Sequence, residues 1–166
     1  VLTLAVDDQG NSGVPGALTD NATLDIAVDP TNDGPDVDVS GVAALSLDEG
    51  VNPATLNSIA INGVTVADLD AVESSPGYLV LTLSIDDVGA SNGTLGVDEG
   101  AAGGVPLVRV SNDDTEVVTL TGTISELQAT LDAGVTYTVP DEDFNSINNS
   151  GDVVLTLTLD DQGNTG

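Results

Sequence analysis

The chain has no cysteine, histidine, lysine, methionine or tryptophan, and its single basic residue is Arg109. Without cysteine there is no disulfide staple and no thiol chemistry, and without histidine no usual zinc or Ser-His arrangement. Nucleic acids and anionic membranes are gripped by Lys and Arg, so neither is a sensible partner. The aromatics are Tyr78, Tyr137 and Phe144 alone. A carboxylate pair can run a glycosidase, but a sugar site usually needs aromatic platforms that this chain lacks. No glycine loop carries the lysine of a phosphate cradle, and the glycine-rich stretch at Asp98-Glu99-Gly100 is acidic and would repel phosphate. No apolar run approaches the roughly 18 residues of a membrane-spanning helix. The chain is therefore read as a non-enzyme that binds neither nucleic acid nor membrane.

What it does have is acid. Of 166 residues, 28 are acidic, 22 of them Asp, giving a formal charge of −27. Apolar residues make up 40 %, almost all Val, Leu, Ile and Ala, which is enough for a β core and unlike a disordered acidic tail. Self-repulsion of this size weakens a compact fold unless counter-ions sit nearby, and a divalent cation would answer that need.

Alternation of apolar and polar residues marks strands at 1–7, 18–28, 36–39, 43–47, 59–66, 78–85, 105–110, 116–123, 135–139 and 153–159. Leu2, Leu4 and Val6 would face a core. Ser91-Asn92-Gly93-Thr94 carries a tight-hairpin signal. The one helical pattern runs from Ile124 to Leu131, about two turns, with Ile124, Leu127 and Leu131 on one face. Short strands with turn signals between them indicate an all-β antiparallel sandwich. Arg109 is expected to pair with a cross-strand acid such as Glu116.

Asp29-Pro30-Thr31-Asn32-Asp33-Gly34-Pro35 separates two alternating stretches and is expected to join two domains. Its prolines stiffen it and remove donors, while Asp29, Asn32 and Asp33 offer oxygen ligands. Residues 1–28 would be the last two strands of one domain, 29–35 the linker, and 36–166 a second domain. Residues 154–166 match residues 1–13 at 10 of 13 positions, an offset of 153. The chain thus reads as one period of a tandem array plus a short overlap, a window on something longer. The second domain would then lack a last strand resembling Leu18–Val28.

These pieces resemble a known family. A strand ending Ala5-Val6-Asp7, a loop, a valine-rich strand and the Asp29…Asn32-Asp33-Gly34-Pro35 linker look like the end of a cadherin-like repeat. Leu47-Asp48-Glu49 is similar to the glutamate near the start of each repeat, and Asp68-Leu69-Asp70 to the Asp-x-Asp after the second strand. Ser91-Asn92-Gly93-Thr94-Leu95, Leu120–Leu127 and Val135–Pro140 resemble the cadherin-like and immunoglobulin-like repeats of large secreted bacterial adhesins. The linker is one residue longer than the usual Asp-x-Asn-Asp pattern, and Asp141-Glu142-Asp143 stands where Asp-Arg-Glu is customary. The resemblance implies a Greek-key β-sandwich on the cell surface or secreted. It implies calcium at the hinge, held by Asp29, Asn32, Asp33, Asp68, Asp70 and Asp160. It implies a second set, Glu49, Asp141 and Asp143, offered to a following linker. The job would be that of a calcium-stiffened, rod-like spacer in adhesion, whose partners are neighbouring repeats or other copies of itself.

Two other readings stand beside it. The loop 86–104 would be the place for a sugar- or protein-binding site. A sheet lacking its edge strand would accept one from another copy and build a fibre. Asp141-Glu142-Asp143-Phe144-Asn145 has oxygens on alternate residues but lacks the glycine and distal glutamate of an EF-hand.

Overall fold

The computed structural model describes residues 1–11, 13, 14, 16, 18–29, 31–48, 56–71, 75–86, 93–141, 143–145, 147 and 151–163. They form antiparallel sheets and one short helix. The chain divides into two compact units, Val1–Pro30 and Thr31–Gly166.

In the first unit, β1 (Leu2–Asp7) pairs antiparallel with β2 (Thr19–Leu24), Leu2 opposite Leu24 and Asp7 opposite Thr19. The turn after β1 is made by its acids. Asp7 Oδ1 accepts from the Gln9 N–H, and Asp8 Oδ1 accepts from the Gly10 and Leu18 N–H groups, each at 2.9 Å. Gln9 and Gly10 take left-handed conformations, φ 53° and 74°. The alternation of β1 does not produce a core here: Leu2, Leu4 and Val6 are all exposed. Two strands have no second layer to bury against. The expected strand 18–28 is paired only as far as Leu24.

The second unit runs β3 (Asp36–Asp38), β4 (Ser58–Ile61), β5 (Thr65–Ala67), β6 (Leu79–Asp86), β7 (Thr94–Val97), β8 (Val110–Ser111), β9 (Val117–Gly122), α1 (Ile124–Ala133), β10 (Val135–Thr138) and β11 (Val154–Asp160). Its sheets have the orders β4-β10-β7, β11-β6-β9-β8 and β3-β5, every pair antiparallel. Leu79, Leu81 and Leu83 of β6 and Val118 and Leu120 of β9 join Ile61, Leu95, Val135 and Tyr137 of the three-stranded sheet in one core cluster. β6 is central, flanked on both sides, and its alternate residues are fully buried.

The structure departs from the sequence pattern in several places. The stretch 59–66 is two strands in different sheets, because Gly63 turns the chain with φ 91° and lies against the Gly41 backbone. The stretch 43–47 makes no ladder; Leu47 reaches the core by its side chain alone. Pro106 precedes a 3₁₀ turn at Leu107–Arg109, so only Val110 and Ser111 pair with β9. The helix is longer than two turns. A reciprocal capping box between Thr123 and Glu126 starts it, and Gly134 ends it.

Arg109 pairs with Glu126, not Glu116. The 3₁₀ turn takes Arg109 out of the ladder and toward the start of α1, where its Nη1 and Nη2 donate to the two Glu126 oxygens at 2.9 and 2.5 Å. The guanidinium also lies 4.5 Å from the centre of the Tyr78 ring.

Candidate metal centre

The acids that the resemblance assigns to a cation come from five stretches: the linker, Glu49, Asp68 with Asp70, Asp141 with Asp143, and Asp160. Gln128 on α1 anchors β5 on both sides of Thr65. Its Nε2 donates to the Val64 carbonyl at 3.1 Å, and its Oε1 accepts from the Val66 N–H at 3.0 Å. The next turn of chain is therefore fixed. Past the end of β5 the chain bends, leaving Leu69 71 % exposed and Asp68 and Asp70 only 8 % and 7 % exposed.

Burying two carboxylates beside each other needs compensation. Asp68 Oδ1 obtains it from the N–H groups of Asp70 and Ala71, each at 2.8 Å. Asp70 Oδ2 takes the backbone N–H of Asp33. Among the described residues, Asp68 Oδ2 is buried with no hydrogen-bond partner. An unmet buried polar atom costs about 1–3 kcal/mol, and more when charged, so an oxygen left in this state calls for a physical reason.

The linker is tied down at a second point. Asn32 Nδ2 donates to Asp161 Oδ2 at 2.8 Å. The Gly163 N–H, and after it the Asn32 amide, hold the Asp161 carboxyl below its ordinary range. The strand-end pair Asp160-Asp161 is thus divided in role. Asp160, the residue indicated by the resemblance, is exposed and accepts from the Gln162 N–H at 2.8 Å. Asp161, its neighbour, meets the linker.

The remaining candidates are not drawn into this cluster. Asp29 is exposed and belongs to the first unit. Glu49 and Glu142 lie outside the described residues. Asp141 and Asp143 are exposed in the loop after β10, where Asp141 Oδ1 accepts from the Asp143 N–H at 3.0 Å. The expected hairpin at 91–94 and the loop 86–104 fall partly outside the described residues, and Thr94–Val97 within them is strand.

Among the described residues, no three His, Cys, Asp or Glu side chains form a group able to hold a metal ion. The two buried acids are linked in series: Asp68 accepts from the Asp70 N–H, and Asp70 accepts from the Asp33 N–H of the linker. Calcium completes its six to eight ligands from amide and carbonyl oxygens and water as readily as from carboxylates, so a carboxylate pair with a polar linker is a chemically reasonable partial shell. Sequence reasoning did not single out Asp161 as the linker's partner or Gln128 as the anchor. The repeated Asp-Asp-Gln-Gly after β1 and β11 was the visible signal for the first. Nothing local marks a helical glutamine as the clamp on a distant strand.

No family model, curated protein or solved structure matches the chain. The likeness to cadherin-like repeats therefore rests on the motifs themselves.

Proposed function

We propose that this chain is a structural repeat of an extracellular, calcium-stiffened adhesin or surface filament, built as a Greek-key sandwich and acting as a spacer. The observation that supports this reading is the buried Oδ2 of Asp68, unpartnered among the described residues, in the same turn as Asp70, which accepts from the Asp33 N–H of the linker. A cation there would neutralise a pair of buried carboxylates and draw in linker oxygens at the same time. Asn32 and Asp33 would then be ordered by the same event that relieves the repulsion, coupling metal binding to linker order. The net charge of −27 with one cationic side chain favours the same conclusion, because the chain offers its carboxylates almost no positive charge of its own.

The test is thermal unfolding and small-angle scattering in EDTA and in millimolar calcium, with the Asp68→Ala, Asp70→Ala double variant as control. The reading expects a calcium-dependent rise in Tm and a more extended particle, with the double variant folded but weaker in calcium affinity by titration. Unchanged affinity in the double variant would remove these acids from the metal shell. No response to calcium in the parent chain would remove calcium from the function.

A further inference from the structure

The turn after β11 repeats the conformation of the turn after β1 and two of its hydrogen bonds. Gln162 and Gly163 have φ 57° and 73°, against 53° and 74° for Gln9 and Gly10. Asp160 and Asp161 accept from the Gln162 and Gly163 N–H groups at 2.8 and 2.9 Å, as Asp7 and Asp8 accept from Gln9 and Gly10. Strand and turn are thus one local structure that occurs twice. The two occurrences differ in what lies beside them. β1 is paired with β2. β11 is paired with β6 on one side, and among the described residues its other edge carries no strand; β3 comes near it without hydrogen-bonding to it.

The apolar surfaces are complementary. Leu24, Ile26 and Val28 form a stripe on alternate residues of the first unit and are 58 %, 65 % and 88 % exposed. Beside β11 the second unit has an open cavity of about 540 Å³ lined by apolar groups that include Leu47, Tyr137, Phe144, Val153 and Leu155. The β1·β2 register, carried over to β11, places Leu24 opposite Leu155 and Ala22 opposite Leu157. Continued by two and four residues, it places Ile26 opposite Val153 and Val28 opposite Gly151. The stripe therefore falls on the side of β11 that opens into the cavity.

From this coincidence we infer that the free edge of β11 is a docking site for the segment 19–28 of a second copy of this chain. The segment adds as an antiparallel strand in the β1·β2 register and closes the cavity with Leu24, Ile26 and Val28. The exchange is favourable because β1 and β11 offer the same ladder, whereas only β11 offers a core to cover. Leaving β1 loses hydrogen bonds that β11 restores, and three exposed apolar side chains become buried. Segment 19–28 and the edge of β11 are different surfaces of the chain, so the contact is head-to-tail, and successive contacts extend a row of copies. No metal takes part in it, and it stands whether or not calcium binds.

The experiment uses the full chain in EDTA. Sedimentation velocity from micromolar to millimolar concentration should show a mass distribution extending beyond the dimer. Ile26→Asp, at an exposed position outside the β1·β2 ladder, should weaken association at least about tenfold without moving the circular dichroism spectrum. Because the chain has no cysteine, register can be read directly. Under oxidation, a mixture of Asn21→Cys and Thr158→Cys chains should yield a mixed disulfide, since these positions are opposite in the proposed ladder. A mixture of Ala22→Cys and Thr158→Cys chains should not, because a one-residue shift turns the thiol to the other face. A monomer at every concentration, association unaffected by Ile26→Asp, or equal cross-linking of the two mixtures would each overturn the proposal.

Discussion

Asn32 Nδ2 donates to Asp161 Oδ2 at 2.8 Å across 129 residues of sequence, tying the start of the second unit to the turn that follows its last described strand. The Asp33 N–H makes a parallel attachment to Asp70. Two consecutive linker residues are thus held by two different loops. Asn32→Ala should release one attachment and leave the other. The expected outcome is faster amide exchange for residues 31–34, with Tm lowered by no more than a few degrees, because the lost hydrogen bond is exposed. Unchanged exchange in this segment would show that the Asp33 attachment alone orders it.

Asp68→Asn should have effects of opposite sign in the two metal conditions. The Asn side-chain oxygen can still accept from the Asp70 and Ala71 N–H groups, while the buried unpartnered atom loses its charge. In EDTA the variant should be as stable as the parent or more so, by up to about 1 kcal/mol. In calcium the parent should gain about 2.7 kcal/mol at a hundredfold excess over Kd, and the variant clearly less. Calorimetry of both chains in both buffers checks this. A variant that loses the same stability in EDTA as in calcium would show that the charged oxygen is structural rather than a ligand.

Glu126→Gln separates charge from capping. Gln can keep the reciprocal bond with Thr123 but not the ion pair with Arg109. The cost near neutral pH should be about 1 kcal/mol, modest because the pair is partly solvated. The Arg109 hydrogen bond is the first cause holding the Glu126 carboxyl below its usual range. Its stabilisation is therefore fully present above the unfolded-state value, near pH 4, and is lost as pH falls through the lower folded value. The stability difference between parent and Glu126→Gln should shrink over that acidic window. A difference independent of pH would assign the effect to packing.

Leu4→Ala and Leu83→Ala give the contrast between the units. Each residue lies within an alternating strand, but Leu4 is 53 % exposed and Leu83 is 0 % exposed. Leu83→Ala should cost about 2–5 kcal/mol through lost burial and a residual cavity, and Leu4→Ala about 0.5 kcal/mol or less. Urea unfolding with unchanged slope would measure both. Equal costs would mean that β1 is covered in solution.

The amino-acid sequence determined the local structure of this protein. Period-two alternation marked β6 and β11 as strands, Thr123 and Glu126 specified where the helix begins, and the twin Asp-Asp-Gln-Gly segments specified the same turn twice. Each of these rests on interactions among residues close together in the chain, and such interactions are visible in the order of residues. Tertiary structure decided what the pattern could not. It left the alternation of Leu2, Leu4 and Val6 exposed and buried that of Leu79, Leu81 and Leu83, because burial depends on a second layer rather than on the strand. It sent Arg109 to Glu126 by breaking a strand at Pro106, and it gave the linker to Asp161 while leaving Asp160 in its own turn. These partners lie 17 and 129 residues apart, and only the packing of the sheets brings them together.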